Sequence, residues 1–194
     1  GMDVDASVIR ACKPDAVIVA SGVTPRWPEL DGLEDAHTVD AWQVLQGEAN
    51  VGQSVVVADL RADWVGIGVA ELLAQNGCRV RLAVNGYMPG QSIQMYVRDA
   101  GIGRLHALGV EVLPYVRLFG ADEDTVYLQH LMSNEAVMCE DVNTLVLCQG
   151  HTPDTGAEDV LRQLGLEHHL VGDCISPRTA EEAVLEGLKV GRAV

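Results

Sequence analysis

The stretch SVVVADLRADWVGIGVAELLAQNGCRVRLAV, residues 54–84, decides the fold class. Ser54–Asp59 is small or β-branched up to its closing carboxylate, the pattern of a strand buried on both faces. From Trp64 to Asn76 the period becomes helical: Val65, Val69, Leu72 and Leu73 fall at i, i+4, i+7 and i+8 and share one face. Gly77 stands where a helix end takes a left-handed residue, which glycine adopts without steric cost. Arg79–Val84 alternates and reads as the next strand. Strand, helix and strand in one short stretch make a βαβ unit, whose crossover between parallel strands is expected to be right-handed.

Outward from this unit the alternation continues. Upstream, residues 15–20 (DAVIVA) read as a short strand stopping at a Ser21-Gly22 turn. Thr24–Gly32, with two prolines and a glycine, reads as a connection, and Val39–Gly47 as a short helix with Val39, Trp42 and Leu45 apolar. Downstream, residues 92–109 read as a helix weakened by Gly101 and Gly103. Val110–Leu118 reads as one strand, and Thr125–Leu131 with Ala136–Cys139 as a hairpin about Ser133-Asn134. Thr144–Cys148 (TLVLC) is a buried strand, Gly156–Leu164 a helix, and His169–Gly172 a short strand. Thr179 with Glu182 forms a capping box that starts the last helix. Its Ala180, Ala183, Val184, Gly187 and Leu188 make a small-residue face suited to packing on a sheet. The expected class is α/β. A Rossmann-like parallel-sheet domain over residues 51–142 is inserted in a partial second nucleotide-binding domain, residues 1–50 plus 143–194.

Composition narrows the function. The 194 residues are 48% hydrophobic and only 4% aromatic, so Val, Leu, Ile and Ala must build the core. A formal net charge of -15 argues against nucleic acid and anionic membranes as partners, since both are bound through clustered Lys and Arg. Cys12, Cys78, Cys139, Cys148 and Cys174 form neither a CxxC pair nor a metal-ligand spacing; they read as reduced thiols of a cytoplasmic protein. His168 and His169 are adjacent on a strand and face opposite ways, so they do not share a metal. No metal site and no catalytic residue is expected in this chain.

A dinucleotide site needs a glycine-rich turn straight after its first strand, so that backbone N–H groups and the helix dipole meet a pyrophosphate. Here the strand is followed by Asp59-Leu60-Arg61-Ala62-Asp63-Trp64-Val65-Gly66. Only Gly66 falls where a glycine is expected, and Gly68 lies inside the helix. Asp59 and Asp63 would repel an anion, which Arg61 offsets only in part. The second strand ends in Val84-Asn85, without the ribose-binding carboxylate. Three readings stay open: a unit that keeps the fold without binding nucleotide, an atypical site using Arg61 and the helix N-terminus near Gly66, or an interdomain salt-bridge patch of Asp59, Arg61 and Asp63.

Several segments resemble one family. AVIVASGVTP, residues 16–25, is similar to the "ATG" strand-turn segment of flavoprotein disulfide-reductase-type enzymes, and HLVGD, residues 169–173, to their second flavin segment. ADLRADWVGIGVAELLA, RLAVNGY, YVRDAGIGRLHALGVEVLPYVRLFG and GDCISPRTAEEAVLEGLKVGRA look closer still to the C-terminal region of the trimethylamine/dimethylamine dehydrogenase-like flavin oxidoreductases. That old-yellow-enzyme-type group includes N-methylproline and dimethylglycine demethylase-like enzymes. The resemblance implies a C-terminal nucleotide-binding, electron-transfer segment of an enzyme oxidising N-methylated amines. It implies FAD or ADP here, with NAD(P)H a further candidate. FMN and an iron–sulfur cluster would belong to an N-terminal barrel outside this sequence. By position, Gly172 and Asp173 match the Gly-Asp pair whose carboxylate meets the flavin ribityl chain. Ser21 and Gly22 match the turn lining the dinucleotide, and the helix from Thr179 would point at the flavin pyrimidine edge. The chain alone is not expected to be catalytic. An NAD(P)H-dependent flavoprotein reductase subunit and a non-binding scaffold that keeps the fold are the alternatives. With part of the second domain lacking, an exposed sheet edge is expected, and with it self-association.

Overall fold

The computed structural model describes residues 1–2 and 4–194. Two compact units form, one from Gly1–Arg26 with His151–Val194 and one from the continuous stretch Trp27–Gly150. In chain order the first segment holds helix α1 (Ala6–Cys12) and strands β1 (Ala16–Val19) and β2 (Val23–Pro25). The continuous unit holds β3 (Thr38–Asp40), α2 (Ala41–Gln46), β4 (Ser54–Asp59), α3 (Trp64–Gln75), β5 (Arg79–Val84), α4 (Met95–Ala107) and β6 (Glu111–Pro114). It continues through β7 (Val116–Ala121), β8 (Val126–His130), β9 (Ala136–Cys139) and β10 (Thr144–Cys148). The chain then closes with β11 (His151–Pro153), α5 (Gly156–Leu164), β12 (Glu167–Leu170), a 3-10 turn at Gly172–Cys174 and α6 (Ala180–Gly191).

The continuous unit is an α/β layer structure built on a five-stranded parallel sheet, order β3-β10-β4-β5-β6. Alternation within β4 makes its two cores. Val55 and Val57 point to the helix face, where they meet Ile67, Val69, Ala70 and Leu73 of α3 and Leu105 of α4. Val56 and Ala58 point the other way, onto Val116, Leu118, Val126 and Leu128 of the antiparallel sheet β7-β8-β9. Every residue of β4 and β10 is buried, which is why both read as unbroken apolar runs.

The α3 face differs from the periodicity reading. Its buried residues are Gly66, Ile67, Val69, Ala70 and Leu73, with Val65 and Leu72 only half-buried at the flanks. On this face Gly66, lacking a side chain, stands against the Asp59 side chain of β4. Val110–Leu118 is not one strand. Tyr115 takes a left-handed φ of 57°, ending β6 at the edge of the parallel sheet and starting β7 in the antiparallel one. The hairpin β8–β9 does form, with Asn134 left-handed at its turn.

The compact units divide outside residues 51 and 142. β3 pairs with β10 and β10 with β4, so these flanking elements complete the parallel sheet of the continuous unit. The short pieces α1, β2, β3 and β11 carry too few residues for a periodic signal. Helix α1 depends on its cap, where the Asp5 carboxylate accepts the N–H groups of Ser7 (2.8 Å) and Val8 (2.9 Å).

The two-segment unit has β1 paired in parallel with β12, and β2 antiparallel with β11. Ile9, Val19, Leu161 and Cys174 form its small core. Helix α6 does not pack its small-residue face on a sheet. It buries no residue, and Val184 and Leu188 are largely exposed.

Candidate functional site

Two places answer to the sequence expectations, one in each unit. In the two-segment unit the parallel register sets Val19 opposite Leu170, and the Val171 N–H donates to the Val19 carbonyl at 3.0 Å. Ser21-Gly22 and Gly172-Asp173, far apart in sequence, therefore both leave the carboxyl ends of adjacent parallel strands. In open α/β sheets that is where ligands bind. Gly22 (φ 78°) has open space where a Cβ would stand. Gly172 (φ 74°) is pressed against α6, its hypothetical Cβ 3.3 Å from that of Ala183. A cavity of about 690 Å³ runs along β1 from Ile9 to Ser21, Asp154 and Leu161.

The polar groups of this place are largely engaged within the unit. The Ser21 hydroxyl donates to the Asp154 carbonyl at 2.5 Å. The Gly172 N–H donates to Glu186 (2.8 Å), and Arg178 pairs with the same carboxylate. The Gly172 bond, with Arg178 second, holds Glu186 below the usual carboxylate range. Thr179 caps α6 as its sequence suggests: its N–H donates to Glu182 at 3.1 Å and its hydroxyl bonds the same group. Asp173 accepts the Arg178 N–H on one oxygen (3.1 Å). Glu186 carried no local sequence signal, because its partners Gly172 and Arg178 reach it only through the fold.

The second place is the β4–α3 turn, where a dinucleotide-binding unit presents its phosphate cradle. Asp59 sits there, 1% exposed. One of its oxygens accepts the N–H groups of Arg61 (3.1 Å) and Ala62 (2.9 Å). Asp63 accepts the Val65 N–H at 3.0 Å and pairs with Arg61 at 2.9 Å. The amides and the cation that could meet a phosphate are thus occupied by two carboxylates of the same turn. Gly66 is needed for this arrangement, since a Cβ there would lie 2.1 Å from the Asp59 carboxylate. The surrounding polar groups are paired too: Gln149 donates to the Ala58 carbonyl (2.8 Å) and the Asn85 N–H to that of Asp59 (2.9 Å).

The second Asp59 oxygen, buried, has no hydrogen-bond partner among the described residues. Burial therefore raises its pKa to about 7, with the Asp63 charge adding to the rise and the two backbone bonds and Arg61 opposing it. Burial pushes the neighbouring Cys148 thiol well up, helped by Asp59, so it is no nucleophile near neutrality. His169 bonds Glu167 and His168 the Leu166 carbonyl. The amides of the turn are thus taken by its own carboxylates, and at the β1–β12 end Asp173 accepts one backbone N–H.

Comparison with known proteins extends across nearly the whole chain. No protein-family model matches it. It is 30% identical over 189 residues to bilirubin reductase of Mediterraneibacter gnavus, covering 96% of this chain and 28% of that protein. It is 22% identical to N,N-dimethylglycine/sarcosine dehydrogenase of Chromohalobacter salexigens, covering 98% of this chain and 33% of that protein. Histamine dehydrogenase from Rhizobium sp. 4-9 shares the fold with a TM-score of 0.89 at 16% identity, over 100% of this chain and 32% of that one. The chain spans about a third or less of the length of these proteins. Over nearly its whole length the chain is similar to one part of each of these oxidoreductases, and the solved structures share its fold.

Proposed function

We propose that this chain is the C-terminal nucleotide-binding and electron-transfer segment of a flavin-dependent oxidoreductase acting on N-methylated amines, and that it is not catalytic alone. The observation that carries the reading is the meeting of Ser21-Gly22 with Gly172-Asp173 beyond the carboxyl ends of registered parallel strands. The name of the dimethylglycine/sarcosine relative favours the substrate class. The group to be held is FAD or ADP. Asp173 fits a ribityl or ribose hydroxyl, and Gly22 leaves room for close approach. A bound flavin would supply the redox chemistry, and the chain's own residues would position and shield it. FMN and an iron–sulfur cluster would be carried by sequence outside this chain.

In this reading the continuous unit is a scaffold. Asp59 fills the place of a phosphate, so neither Arg61 nor Gly66 serves a nucleotide. A second reading is a subunit of an NAD(P)H-dependent flavoprotein reductase, favoured by the name of the bilirubin reductase relative. The outer edge of β1, unpaired among the described residues, and the exposed apolar residues of α6 support self-association, or cover by a further domain.

The test uses the parent protein that carries this segment. Nucleotide released on denaturation is quantified for wild type and Asp173→Ala. Loss of several-fold in FAD or ADP content, with unchanged circular dichroism, is expected. Full occupancy in the variant would sink the first reading. Tight NADH binding that disappears with Arg61→Ala would favour the second.

A further inference from the structure

The continuous unit holds a cavity of about 520 Å³ that neither nucleotide reading uses, between residues 31–35 and the β7–β8–β9 sheet. Its wall is fixed by two glycines. A Cβ on Gly32 would lie 1.8 Å from the Ala121 carbonyl oxygen, and one on Gly120 would lie 2.8 Å from that of Asp31. The Ala121 N–H donates to the Asp31 carbonyl at 3.2 Å. Strand β7 bulges between Leu118 and Gly120, and the residue in the bulge is Phe119. Bulges re-aim side chains. This one leaves the chain's single phenylalanine 59% exposed on the cavity lining, beside Tyr127 and Leu128.

The charge of the lining has one sign. Asp31, Asp35 and Asp122 line the cavity, and among the described residues no Lys or Arg does. Tyr127 donates its hydroxyl to Asp122 at 2.7 Å, which keeps that carboxylate ionised and aims it. Arg117 lies on the neighbouring rim with its guanidinium bound to Gln129 (2.6 and 3.0 Å). A pre-formed apolar cleft of this size, with few polar groups, is the usual form of a small-molecule site. An aromatic face beside carboxylates selects a cation, through the ring quadrupole and through charge.

We propose that this cavity binds a small organic monocation with an aromatic or branched apolar body. Its charged nitrogen would sit among the carboxylates, and its body against the Phe119 ring and Ala136. The site lies wholly within Trp27–Gly150 and is independent of the function proposed above.

The probe is benzyltrimethylammonium, titrated into the full chain by calorimetry and followed by amide NMR shifts. Benzoate and N,N-dimethylbenzamide serve as the anionic and neutral counterparts. Saturable binding of the cation is expected, about tenfold or more tighter than the amide, with shifts centred on Gly32, Gly120 and Ala121 and weakening in salt. Benzoate should not bind. Phe119→Ala and the double variant Asp31→Asn/Asp35→Asn, both at exposed positions, should each weaken binding about fivefold with the urea midpoint unchanged. Equal binding of the neutral probe, binding of benzoate, shifts elsewhere, indifference to both variants or no binding at millimolar cation would each overturn the proposal.

Discussion

Replacing Asp59 with asparagine tests the self-filled turn most directly. The variant keeps the oxygen that accepts the Arg61 and Ala62 N–H groups, removes the titration and puts an amide NH2 where the second oxygen stands. In the folded chain the pKa is raised to about 7 by burial, against 3.8 for the ordinary group. The folded state therefore holds a proton that the unfolded state gives up. That contribution to stability is fully present below pH 3.8 and is lost as pH rises through about 7. A rise of about three pH units corresponds to roughly 4 kcal/mol, an order-of-magnitude figure applicable here because the side chain is nearly inaccessible. The assay is urea unfolding of both proteins from pH 4.5 to 8. The difference between them cancels the other carboxylates, which titrate alike in each. Wild type should lose stability relative to Asp59→Asn by a few kcal/mol across that range, most steeply between pH 5 and 7. Parallel pH profiles would refute the claim that the turn stores a buried proton.

Gly66→Ala should destabilise by about 1–3 kcal/mol despite the better helix propensity of alanine. Combining it with Asp59→Ala should recover much of that loss in a double-mutant cycle, since the clash is with the Asp59 carboxylate. Leu82→Ala, at a fully buried position on the helix side of β5, should cost about 3 kcal/mol of unfolding free energy, read by urea titration. Light scattering should show a mass that grows with concentration, and Val184→Lys with Leu188→Lys on α6 should return it towards the monomer. A clean monomer for wild type at high concentration would remove self-association through this unit.

What was legible in the sequence follows from where the determining contacts lie. β4, α3, β5, β10 and the hairpin β8–β9 are marked by burial on both faces, a helical period or turn residues, all local signals. The capping box at Thr179 is equally local and forms. The split at Tyr115 was hidden, because nothing in VEVLPYVRLFG announces a left-handed tyrosine. The site was half legible. The excess of carboxylate after β4 signalled a poor phosphate cradle, but not that Asp59 turns inward to take the amides itself. That needs Gly66 beneath it, and the same glycine read from sequence as the one glycine in its expected place for a nucleotide site.

The clasp of β2 on β11 sets an order of assembly. Pro25 pairs with His151, so all of Trp27–Gly150 is a loop closed by that ribbon. Closing so long a loop in a disordered chain costs on the order of 4 kcal/mol, more than a six-residue ribbon and a small core can readily return. Once the continuous unit has folded, its compaction has already absorbed much of that entropy. The two-segment unit is then a thermodynamic dependant of the sequence it encloses. Damage to the β4–β5 core should weaken hydrogen-exchange protection in β1 and β12, whereas damage to Ile9 or Leu161 should leave the parallel sheet protected.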